Sequence, residues 1–211
     1  MLASNVCPEN ATLVFSIDLL KNKRVFWILQ IAGVLLFFGF GGFFVWYTLQ
    51  IRSALFQSGF LAGLDAVIGY ANLILFLLEM IGCTAVVLLA HELVHGAFFW
   101  IFSRSRPVFG LRIGYAYAAA PGWFFLPRQY LVIALAPLVL ISILGMLLVA
   151  VLPAGALALL LFGLVVNASG AVGDIWIAYK VVRERRPIVI EDLGDGMNFY
   201  ALPSLSERSK E

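Results

Sequence analysis

Four long apolar runs, separated by short polar or basic segments, dominate the chain. The first runs from about Val25 to Tyr47 and the second lies within about Ala66 to Ile101. The third spans about Tyr130 to Leu152, and the fourth about Gly155 to Tyr179. A helix needs roughly 20 residues to cross a bilayer, so each run predicts a transmembrane span. Pro153-Ala154-Gly155 is a tight turn between the last two. Span two exceeds what a bilayer requires, so it is either tilted or projects beyond the hydrocarbon around Ala66 to Tyr70. A cleaved signal peptide fits poorly, because 24 mostly polar residues precede the first run. That run reads as an uncleaved anchor.

The pattern changes between spans two and three. Phe109, Leu111, Ile113, Tyr115 and Tyr117 alternate with Gly110, Arg112, Gly114, Ala116 and Ala118, which is the period of a strand. Pro121-Gly122 is a turn pair, and Trp123 to Leu126 can return as a second strand, giving a hairpin within 104–128. Thr12 to Leu19 and Ile188 to Ile190 also have strand character and could join it in a small sheet. Asp192-Leu193-Gly194-Asp195-Gly196 reads as a turn, with too few oxygen ligands for a calcium loop. The predicted fold class is an all-α membrane protein of four transmembrane helices with a small cytoplasmic β-hairpin between spans two and three. No internal repeat is visible. The expected organisation is a cytoplasmic segment over 1–24, a four-span core over 25–182 and a cytoplasmic tail over 183–211.

Composition agrees: 63% of the 211 residues are hydrophobic and only 12% charged, about half the share usual in soluble domains. A net charge of +2 is too small to suggest nucleic-acid binding. Its distribution says more. Of the 14 Lys and Arg residues, all except Arg52 fall before span one, between spans two and three, or after span four. Basic residues are retained on the cytoplasmic side, so both termini are expected there, and spans two and four both run from outside to inside. Cys7 and Cys83 lie in unlike surroundings and read as free thiols rather than a disulfide.

Within span two stands His91-Glu92-Leu93-Val94-His95, which holds both histidines of the chain. Residues four apart share a helix face, so both imidazoles can reach one cation with Glu92 beside them, the arrangement of zinc hydrolases. The competing account is a pair of core histidines with satisfied ring nitrogens. A catalytic zinc normally keeps three protein ligands. The spans contain three acidic residues: Glu79, Glu92 and Asp174. Glu79 lies 12 residues before His91, about 18 Å along the axis, too far to share a metal, and is assigned no role. Asp174 lies six residues before Lys180 in span four, and His95 lies six residues before Ile101 in span two. The two parallel spans therefore present them at matching depth. A carboxylate in hydrocarbon must be paired, solvated or coordinated, and coordination would meet that need. His91, His95 and Asp174 are thus the expected zinc ligands and Glu92 the expected general base. Asn167, two turns before Asp174, is a candidate for substrate contact or for support of a ligand. Pro137, in span three, frees a backbone carbonyl one turn earlier that neighbours or water must satisfy.

These residues resemble a known group. The motif at 91–95, the Asn-Ala-Ser-Gly-Ala-Val-Gly-Asp stretch at 167–174 and the Leu-Ala-Pro at 135–137 resemble the putative zincin peptidase family of small prokaryotic membrane proteins, itself similar to the site-two proteases. The resemblance runs from about Lys21 to Tyr200. It implies zinc held by His91, His95 and Asp174, Glu92 as catalytic base, and a prokaryotic cell membrane as location. The Leu-Asp-Gly or Pro-Asp-Gly usual in site-two proteases is replaced by Gly173-Asp174-Ile175, and no PDZ insertion is present. The leading expectation is an intramembrane zinc metalloprotease acting on membrane-anchored protein or peptide substrates near the cytoplasmic leaflet. The alternative is a non-proteolytic metal-binding membrane adaptor or chaperone. A di-iron hydroxylase is excluded, because two histidines cannot serve two metals. The sequence assigns no oligomeric state.

Overall fold

The computed structural model describes residues 3–18, 22–55, 70–112, 115–194 and 196–203. Ala66 to Gly69 of the expected second span, Leu19, Lys21, Ile113, Gly114, Asp195, Arg208 and Lys210 lie outside the described residues.

Each apolar run is helical, and local chemistry explains where several of the helices start. Helix α1 (Lys23–Leu55) begins after Asn22, whose Oδ1 accepts from the Val25 N–H at 3.2 Å and so satisfies one otherwise unpaired amide. Helix α2 covers Tyr70–Ser103. Helix α3 (Pro127–Val151) opens on a proline where the missing N–H costs nothing, and Gln129 reaches back to accept from the Leu126 N–H at 2.9 Å. The fourth run, expected as one helix, is two: α4 (Ala154–Gly170) and α5 (Val172–Arg183), parted at Ala171 (φ −70°, ψ 8°). The break falls between Gly170 and Gly173, each about 1 kcal/mol poorer than alanine in a helix. Among the described residues four segments, Lys23–Arg52, Leu73–Ser103, Pro127–Val151 and Ala154–Arg183, are long and apolar enough to cross a membrane. Ile74, Leu78, Ile81, Val86 and Leu89 of α2 are exposed, as lipid-facing positions of a helix should be.

The chain divides into two compact units. One comprises Gln30–His91 and Pro137–Val172. Its core is Phe44, Val149, Leu157, Leu161, Leu164 and Val165, and Gly145 leaves room for the Leu164 side chain. Arg52 donates to the carbonyls of Val149 (3.1 Å) and Leu152, at the end of α3 where carbonyls lack helical partners.

The other unit comprises Met1–Leu29, Glu92–Ala136 and Gly173–Glu211. It holds all the strands: β1 (Thr12–Asp18), β2 (Val108–Arg112), β3 (Tyr115–Ala119), β4 (Phe124–Phe125), β5 (Ile188–Asp192) and β6 (Gly196–Ala201). An antiparallel sheet of order β1-β6-β5-β4 buries Ile17, Phe125, Ile190 and Phe199 against Phe99 and Ile133 of the helices. The expected hairpin is built differently. The alternating run folds on itself as the ribbon β2–β3, with Arg112 opposite Tyr115, so it is two strands rather than one. Trp123 to Leu126 does not return along it; Phe124 and Phe125 pair with Glu191 and Ile190 of β5.

Tyr130 of α3 donates to Asp192 Oδ2 at 2.5 Å, and the Gly194 N–H donates to Oδ1 at 2.8 Å. Burial pushes the Asp192 carboxyl up to about 6 despite these hydrogen bonds. The folded chain therefore holds this proton more tightly than the unfolded chain, where the value is about 3.9. The stability this gives is complete below about pH 4 and is lost as pH rises through about 6, a span worth about 3 kcal/mol. Thermal unfolding in detergent should show a melting temperature that falls from pH 4 to 7 in the native chain and falls less in Asp192→Asn. Equal slopes would refute this account.

Candidate metal centre

One uninterrupted helix, α2, carries His91, Glu92 and His95, and the division between the two units passes through it between His91 and Glu92. Both imidazoles are buried, with 7% and 8% of their residue surface exposed, while Glu92 is half-buried. The residue after His95, Gly96, has no side chain, and the ring of Phe109 from β2 occupies the space a Cβ would need. This sets the β2–β3 ribbon against α2 beside His95.

Each ring nitrogen Nδ1 is engaged. His91 Nδ1 lies 3.0 Å from Asn167 Oδ1, and the Asn167 Nδ2 donates to the Pro137 carbonyl at 3.3 Å. His95 Nδ1 lies 2.9 Å from the Ile133 carbonyl. Asn167 is 1% exposed, so a polar amide at that depth requires such partners. The sequence nominated Asn167 by its spacing from Asp174; the structure places its side chain against His91 instead. The Ile133 carbonyl was nameable only by combining Pro137 with the helical hydrogen-bond register.

Asp174 sits in the first turn of α5, made possible by the break at Ala171. Amides at a helix start and the helix dipole favour a carboxylate there. Asp174 Oδ1 lies 3.5 Å from His95 Nε2, with 22% of its side chain exposed. One donor atom each from His91, His95 and Asp174 falls within 4.8 Å of the others, a group able to hold a metal ion. Donors 2.0–2.2 Å from one tetrahedral zinc stand roughly 3 to 4 Å apart, so the His95–Asp174 pair is already at that spacing. Two imidazoles and a carboxylate also form the donor set of zinc hydrolases, and the residues fit the metal. Glu79 is exposed on α2 and takes no part in the group.

Residues 84–188 match a family model described as putative zincin peptidase, a segment that contains every residue of this centre. No curated protein and no solved structure matches the chain.

Proposed function

We propose that this chain, which belongs over residues 84–188 to the putative zincin peptidase family, is an intramembrane zinc metallopeptidase that cuts membrane-anchored proteins or peptides near the cytoplasmic leaflet. The observation that carries this reading is the convergence of His91, His95 and Asp174 on helices apolar enough to lie in a membrane.

When bound, zinc supplies Lewis acidity, which makes water nucleophilic near neutral pH and polarises a carbonyl. The chain's own residues do the rest. His91, His95 and Asp174 would hold the ion, and Glu92 accepts the proton of the attacking water and passes it to the leaving amine. A transmembrane substrate has its amides tied up in its own helix and must unwind before it is cut. Among the described residues β2 and β3 form a two-stranded ribbon, whose edge can hold an extended segment by main-chain pairing.

The depth of the centre follows from its neighbours. Arg104 lies over Trp100 at the end of α2, and Lys180 over Trp176 and Arg183 over Tyr179 along α5. Paired basic and aromatic side chains mark a membrane interface. His95 is five residues from Trp100, about 7.5 Å along the helix, so the centre lies just inside that boundary. With the basic segments cytoplasmic, both termini are cytoplasmic too.

Purified protein should contain about one zinc per chain by atomic emission, removable by a chelator together with hydrolysis of a membrane-anchored peptide. Metal-free protein that cleaves at full rate, or protein that never retains zinc, would overturn the reading.

A further inference from the structure

We propose that Pro137 is a positioning residue for both imidazoles: acting through the backbone of α3, it decides which ring nitrogen each histidine presents to the metal. The inference rests on the zinc-site reading above but has its own test.

In an α-helix the N–H of residue 137 would bond to the carbonyl of residue 133. Proline has no N–H, so the Ile133 carbonyl is left for another donor, and inside a membrane span that donor must come from the protein. It is His95 Nδ1, at 2.9 Å. A carbonyl only accepts, so His95 must carry its proton on Nδ1. In the neutral ring, the form that binds a metal, Nε2 then carries the lone pair, and Nε2 is the atom 3.5 Å from Asp174.

The carbonyl of Pro137 itself sets the other ring. It accepts from Asn167 Nδ2 at 3.3 Å, which fixes the amide so that Oδ1 faces His91 Nδ1 at 3.0 Å. Oδ1 only accepts, so His91 also carries its proton on Nδ1, and in the neutral ring the lone pair lies on Nε2. Pro137 is fully buried and touches neither ion nor substrate in this scheme. One residue thus gives two rings the same tautomer before any metal arrives, and fixing the ring in this way raises metal affinity.

The test is ¹⁵N-imidazole NMR on metal-free protein, with zinc affinity from chelator competition. At alkaline pH, where the rings are neutral, both native histidines should show the Nδ1–H tautomer; a neutral ring protonated on Nε2 instead of Nδ1 overturns the proposal with no variant needed. Pro137→Ala restores an N–H that competes for the Ile133 carbonyl. It should melt higher, since α3 gains a hydrogen bond, yet shift His95 to mixed tautomers and bind zinc roughly 10-fold more weakly. Asn167→Ala should release His91 alone and leave the His95 signal in place. A purely structural role for Pro137 predicts changed stability with unchanged tautomers and unchanged zinc affinity, which would also overturn it. Native protein without zinc affinity would sink the peptidase reading while the tautomer measurement still decides this one.

Discussion

Glu92→Gln is expected to lower peptide hydrolysis by roughly 10²- to 10⁴-fold, the share a positioned general base contributes, while leaving zinc content at the native level. Glutamine keeps the size and much of the hydrogen-bonding capacity of glutamate but cannot take a proton. Glu92 is not among the three residues whose donor atoms converge, so the ligand set is untouched. The measurement pairs turnover of a membrane-anchored fluorogenic peptide with metal analysis of the same preparation. Hydrolysis within 10-fold of native would show that the proton is handled elsewhere and would remove Glu92 from the mechanism.

Asp174→Ala should behave differently, losing metal and activity together. It deletes one of three donors outright, so zinc affinity should fall by more than the roughly 10- to 100-fold typical of losing a supporting partner. The fold should persist, because Asp174 is partly exposed and the core of its unit is built from residues such as Ile133, Ile177 and Phe199. Asp174→Asn keeps an oxygen but not the charge, and should retain intermediate affinity. Full zinc occupancy in Asp174→Ala would mean that the two histidines and some other group hold the ion. The contrast between the two variants separates holding the metal from moving the proton.

The grouping of His91, His95 and Asp174 was legible from sequence because its logic is one-dimensional. A four-residue interval on a helix fixes His91 relative to His95, and counting rise from the basic boundary sets Asp174 at the same depth. Helical spans were legible for the same reason. The break at Ala171 was not, because an apolar run reads identically whether it is one helix or two; only Gly170 and Gly173 hinted at it. That break moves Asp174 from mid-helix to a helix start and changes how Asn167 relates to it. Strand partners were harder still. A period of two shows that a segment is extended but not which strand it pairs with, so the alternating run was taken as one strand and β4 was given the wrong partner. Burial of Asp192 beneath Tyr130 depends on a sheet assembled from three distant stretches, β1, β4 and the neighbouring β5 and β6, which no local pattern encodes.

That sheet has a consequence for biogenesis. Thr12 of β1 stands opposite Ala201 of β6, so during synthesis β1 waits for β6. Closing so large a loop is slow, and it cannot begin until translation has passed the four spans between them. The half of the molecule bearing Glu92, His95 and Asp174 therefore completes its hydrophobic interior only after insertion is finished. The grouping of His95 with Asp174 therefore matures late, after the spans between them are in place.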